Sequence, residues 1–315
     1  MLSQTLINTL RQWRLLALLF LLTLLPALPS ALAFFSTLTS EFDGSMAPLQ
    51  MMTGFNYTVF ADFMHEHGGA IWPLIRAGWW SALLSLLISV WAKGGILYSF
   101  TNGFRAVTFW QSGTHYFRRY LRLLGVTVFF VLLWLLTLIL TSVLIGLLDE
   151  ALGEPFTERG YVAIAMVVGL LFGAALACIL CVSQYASVLM YQIDETASLQ
   201  AYTQSWRFVR QHPRATLGRY LLVLLTGTAL LGIYLLLESL FDAHNWLLIG
   251  LLFLLQQAFV FSRVVLTVWA LRIAQINLGR LPQPVVQPTV KPQPATAPVP
   301  APTDPAGAND TLLPL

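Results

Sequence analysis

The stretch Phe109–Leu148, FWQSGTHYFRRYLRLLGVTVFFVLLWLLTLILTSVLIGLL, decides how this 315-residue chain is read. Its first part is amphipathic. Phe109, Trp110, Tyr116, Phe117, Tyr120, Leu121 and Leu124 recur at helical spacing, with Gln111, Thr114, His115, Arg118, Arg119 and Arg122 opposite them. Rings on one side and arginines on the other suit a helix lying in a membrane interface, aromatics among acyl chains and guanidiniums on phosphates. From Leu123 to Leu148 no side chain is ionised, and at about 1.5 Å per residue the run crosses ~30 Å of hydrocarbon. An amphipathic elbow feeding a span is thus the unit expected here, and the chain uses it three times.

Composition agrees with that reading and excludes others. With 57% hydrophobic and 10% charged residues, the chain carries more apolar surface than a soluble fold of this size can hide. The net charge of +3 does not indicate a nucleic-acid partner, because the basic residues flank apolar spans instead of covering a solvated face. Cys178 and Cys181 both lie in an apolar run and cannot by themselves build a disulfide framework or a zinc site.

The expected fold is an all-α membrane protein with six spans near residues 15–35, 71–92, 123–148, 161–182, 220–240 and 246–269. The first elbow is residues 1–14, with Leu2, Leu6, Leu10 and Trp13 on one face; the third is Ser198–Gln211, with Leu199, Tyr202, Trp206 and Val209 on one face and Arg207 and Arg210 on the other. His212-Pro213 ends the third elbow. Two readings of the first span stay open. It is either retained, with Pro26 and Pro29 inside it, or cleaved as a signal peptide at Ala31-Leu32-Ala33.

In the loop that follows, Asn56 can cap a short helix from Tyr57 to His67, ended by Gly68. Its His65-Glu66-His67 triplet is a poor metal site, since neighbours two apart on a helix point away from each other. Small residues suggest two packing faces: Gly78, Ala82, Ser85 and Ser89 in the second span, and Gly169, Gly173, Ala177 and Cys181 in the fourth. Lys93-Gly94-Gly95 marks the inner end of the second span or a kink, and Thr108 with Gln111 fits a capping box. Ten of the sixteen prolines fall between Pro282 and Pro314, so residues 276–315 read as a disordered, partly polyproline tail, a candidate site for a protein partner.

Lysines and arginines orient the chain. With the N-terminus in the cytoplasm, fourteen of the seventeen lie on the cytoplasmic side, Arg76 and Arg159 lie outside, and Arg263 is left inside a span. Both termini are then cytoplasmic. An offset of 93 residues aligns Gln111-Ser112 with Gln204-Ser205, Leu124-Gly125 with Leu217-Gly218, and Asp149 with Asp242, as a duplicated elbow and helix pair would.

The elbows Thr108–Gly125 and Thr203–Gly218, the layout of residues 1–275, and the run Gly54-Phe55-Asn56 through Asp62-Phe63 to Gly68-Gly69 carry a resemblance. The chain resembles bacterial multi-pass inner-membrane proteins that include the membrane domain attached to some glycerophosphodiester phosphodiesterases. These 315 residues hold no phosphodiesterase domain, so the resemblance implies a membrane fold and a cell-membrane location, not a reaction.

Three functions are weighed on the residues alone. A non-catalytic organiser of lipids or partner proteins is favoured by the elbows, with Arg118, Arg119, Arg122, Arg207, Arg210 and Arg214 expected on anionic headgroups. A transporter or lipid-handling pore would use Gln184, Gln256, Gln257 and Arg263 at membrane depth. An intramembrane enzyme is least supported, because no HExxH, GxSxG or Walker motif occurs and no carboxylate lies deep in a span. No cofactor or metal is expected. Asp194 and Glu195 are the carboxylates expected nearest to Arg263 in depth.

Overall fold

A computed structural model describes residues 2–41, 57–152, 157–193, 197–241 and 246–280. These residues form helices and no strand: α1 Leu2–Leu10, α2 Trp13–Leu24, α3 Ala27–Glu41, α4 Tyr57–Asn102, α5 Ala106–Leu152, α6 Glu158–Ile193, α7 Ser198–Gln211, α8 Leu217–Leu240 and α9 Trp246–Arg280. Six stretches are long and apolar enough to cross a membrane, and the chain is a multi-pass membrane protein. The tail 281–315 and the carboxylates Asp194 and Glu195 lie outside the described residues.

The helices run further than the sequence pattern suggests. The central elbow is no separate element: α5 continues from Ala106 to Leu152 with no proline to interrupt it. Its aromatic face divides: Phe109 and Tyr120 are buried against protein and Tyr116 packs on Tyr191 with centroids 5.4 Å apart, whereas Trp110 and Leu121 stay exposed. The helix expected to stop at Gly68 likewise continues, as α4, through Gly68 and Pro73 to Asn102. Gly103 ends it at φ 78°, the left-handed conformation that glycine adopts without a Cβ clash. Thr108 does not cap α5 but bonds back to the carbonyl of Arg105.

Between α2 and α3 the first span breaks at Leu25-Pro26, where the proline lacks the N–H that the helix would need. The final helix passes the expected boundary at 275 and reaches Arg280, burying Asn277 and Leu278. The third elbow matches its expected bounds as α7, although its buried face is turned by one residue. Ala201, Tyr202, Ser205, Phe208 and Val209 are inside, whereas Leu199 and Trp206 are 59% and 45% exposed. Tyr202 stacks on Phe130 at 4.8 Å, and burial pushes its phenol up to about 12.

Burial is concentrated at one end of the bundle. Residues 90–97 of α4, 109–123 of α5, 181–190 of α6, 201–209 of α7 and 264–278 of α9 supply most of the core, with Leu15, Leu16, Leu19 and Leu22 of α2. Here α4 and α5 meet almost backbone to backbone: a Cβ added at Gly94 would lie 2.9 Å from the Ser112 carbonyl oxygen, and one at Gly113 would lie 2.7 Å from the Trp91 ring. The glycines at 94 and 95 therefore permit close packing instead of marking a kink. Toward the other end, Leu132, Leu136, Leu140 and Leu144 of α5 are exposed, as are Met166, Leu170 and Leu171 of α6. In a membrane protein such side chains face lipid.

That division corrects both small-residue faces. Gly78, Gly169 and Gly173 have nothing within 4 Å of an added Cβ, and only Ala177 and Cys181 of the fourth-span stripe are buried. Spacing identified the right residue type, but those glycines lie on the splayed part of their helices. In α4 the contact surface is rotated to Ala77 and Ser81, where the Ser30 hydroxyl of α3 reaches the Ala77 carbonyl at 3.2 Å and the Ser81 hydroxyl at 2.5 Å.

Candidate functional site: two cations between two cavities

Arg263 is the arginine that topology leaves inside a span, and the fold gives it a companion. Arg272 of α9 sits over the Phe100 ring of α4 at 5.4 Å, a contact that ties the two helices together at this level. Lys93 precedes Phe100 by seven residues and Arg263 precedes Arg272 by nine. Because both helices run the same way, these similar offsets place Lys93 and Arg263 at similar levels, and both line the same two cavities.

Two cavities share this pair. One, about 440 Å³, lies between α2, α4 and α9; the other, about 700 Å³, lies between α6, α8 and α9. Lys93, Arg263, Thr267 and Leu271 line both. Among the described residues no carboxylate lines either cavity and neither cation has an ion-pair partner. With no acidic neighbour among the described residues, this pair calls for an anion or water. Both cavities reach the protein surface, through Ser85 and Ser89 on the first side and Leu224 and Leu231 on the second.

The depth of the pair narrows the chemistry. Trp246 opens α9 and is 86% exposed, as an interfacial tryptophan is. Arg263 follows it by seventeen residues, ~26 Å along the helix, close to the far edge of a ~30 Å hydrocarbon layer. With the span expected at 246–269, Arg263 lies nine residues, about 13 Å, deeper than Arg272, too far for easy snorkelling unless the helix continues. The extension of α9 to Arg280 removes that difficulty. Lys93 and Arg263 stand at headgroup height for the leaflet on the packed side.

The other expected polar residues divide. Gln184 lines the larger cavity with Arg263. Gln256 is exposed and lines neither cavity, and Gln257 buries an amide oxygen with no hydrogen-bond partner away from both. Helical spacing put Gln256 and Arg263 on one face, but the side chains lie almost two full turns apart and do not converge. Of the headgroup candidates, Arg118 and Arg122 on α5 and Arg207, Arg210 and Arg214 on and after α7 are exposed. Arg119 is held over the Tyr116 ring at 5.6 Å.

Sequence reasoning took Lys93 as a topology signal and a mark of the inner end or a kink of the second span, not as part of a site. The available clue was composition, since it is the single lysine among the described residues. It also missed a buried polar junction. Asn277 accepts from the Arg219 guanidinium, and its amide donates to the Tyr185 hydroxyl at 2.7 Å and the Ala215 carbonyl at 3.0 Å. With every member partnered, this junction locks α6, α8 and α9 together and is structural.

No family model, curated protein or solved structure matches this chain. The functional reading therefore rests on the geometry of the site.

Proposed function

We propose that this protein is a non-catalytic membrane organiser that holds anionic lipid in the inner leaflet, both termini lying in the cytoplasm. One observation carries the reading: Lys93 and Arg263 face shared cavities at headgroup height, and among the described residues no carboxylate lines them. A lipid phosphate supplies the missing charge through charge-assisted hydrogen bonds. The exposed Arg118, Arg122, Arg207, Arg210 and Arg214 add a broader attraction, about 1 kcal/mol each beside an anionic leaflet. Exposed Trp13, Trp110 and Trp206 on the same end suit an interfacial belt.

Lipid extracted with the protein from native membranes should be enriched in anionic species, and Lys93→Gln with Arg263→Gln should abolish the enrichment. Unchanged lipid content in the double variant would defeat the reading. Orientation is tested separately: a cysteine at Thr157 should react with an impermeant thiol reagent from outside, and one at Gln211 should not.

A lipid-handling pore is the second reading, favoured by two cavities that share one wall across α9. It predicts that reconstituted protein speeds the exchange of labelled lipid between leaflets. The organiser predicts no acceleration.

A further inference from the structure

We infer that the cation pair seats one two-chain anionic phospholipid astride α9, phosphate on Lys93 and Arg263, with one acyl chain in each cavity. This rests on the anionic-lipid reading above and adds the class of lipid and its pose.

The arrangement of α9 argues for it. Arg263, Thr267 and Leu271 recur every four residues and form the wall common to both cavities. On one flank of that wall Val260, Val264 and Val268 line only the smaller cavity; on the other, Phe259, Leu266 and Ala270 line only the larger. The helix is a pillar with an apolar chamber on each side and a cationic front.

Each chamber also runs from the cations toward mid-membrane. The smaller extends to Ser85, eight residues or about 12 Å from Lys93, and the larger to Leu231 and Phe259. A small anion would satisfy the charges and leave both apolar chambers unfilled. A single-chain amphiphile would fill one. A phosphate diester or monoester bearing two chains matches the charge and both volumes, which fall within the range usual for ligand pockets.

The test uses delipidated full-length protein in a neutral detergent, with thermal unfolding read against added dioleoyl phosphatidate, oleoyl lysophosphatidate, dioleoyl phosphatidylcholine or inorganic phosphate. Dioleoyl phosphatidate should bind about tenfold more tightly than the single-chain lipid, the other two giving no stabilisation. Ser89→Phe fills the mouth of the smaller chamber and Thr228→Phe that of the larger, and both positions are exposed, so each variant should fold. Each should reduce phosphatidate binding to the single-chain level.

Equal binding of one-chain and two-chain anions, or full phosphatidate binding in both Phe variants, overturns the astride pose and leaves the anionic-lipid reading standing. Equal protection by phosphatidylcholine or by inorganic phosphate overturns both, as does undiminished phosphatidate binding in Lys93→Gln/Arg263→Gln. Native mass spectrometry of the wild type gives a check free of variants: one adduct with the mass of a two-chain anionic lipid is expected, and bound single-chain lipid alone sinks the pose.

Discussion

The two ends of the bundle are built by different physics. At the packed end α4 and α5 touch through Gly94, Gly95 and Gly113, and Phe109 and Leu97 have no exposed surface. At the splayed end the most apolar window of α5 has none of its residues buried, although its mean hydropathy is the highest in the chain, at 2.8. Hydrophobicity and burial are thus opposed along one helix. In lipid an exposed leucine costs nothing, so the splayed end is specified by solvent and the packed end by shape and hydrogen bonding.

The sharpest way to break this contrast is to place one substitution in both regions. Gly94→Leu drives a side chain into the Ser112 backbone, which cannot rotate away, and should cost 3 kcal/mol or more, above the usual ~1–3 kcal/mol of overpacking. Gly173→Leu meets nothing and should stay within ~0.5 kcal/mol of the parent. Thermal unfolding in detergent compares them. If the two variants melt alike, the division is wrong.

A somewhat smaller loss is expected from the polar junction. Asn277→Leu removes the partner of Arg219 and of the Tyr185 hydroxyl, and should destabilise by about 2–3 kcal/mol. Added to Tyr185→Phe the loss should be less than additive, because the two side chains share a bond. Strict additivity in a double-mutant cycle would mean that the junction is not a unit.

Smaller still is the hydroxyl contact where the ends meet. Thr127 and Ser183 lie 2.7 Å apart, and Ser183→Ala should cost about 0.6–1.5 kcal/mol, the range for one interhelical hydrogen bond in a membrane. Least affected should be Leu199→Ser on the exposed side of α7, within ~0.5 kcal/mol in detergent. A marked loss there would show that α7 buries a wider face than its contacts indicate.

Particular residues show how far the pattern of the chain reaches. The bounds of α7 were legible because His212-Pro213 ends it, whereas the first span, expected to run through Pro26, breaks there for want of the N–H. The buried side of α7 was not legible: Leu199 and Trp206 are more hydrophobic than Ala201 and Ser205, yet the smaller pair lies inside. Next to a membrane, hydrophobicity no longer separates inside from outside, since two apolar surroundings compete for the same side chain. The same ambiguity misassigned Phe109 and Tyr120 of α5 to lipid and the stripe at Gly169 and Gly173 to protein.

By itself the sequence determined that this chain is a six-span helical membrane protein, because only continuous helices satisfy the backbone of such long uncharged runs in hydrocarbon. It also singled out Arg263, since ionised groups within spans are rare enough to be conspicuous. Only the tertiary structure decided that Lys93, 170 residues away in the chain, stands beside it at one level between two cavities. That juxtaposition depends on the vertical register of α4 against α9, in which Arg272 meets Phe100. Periodicity specifies the face of a helix, whereas the height at which two helices dock depends on which side chains and glycines meet across the contact.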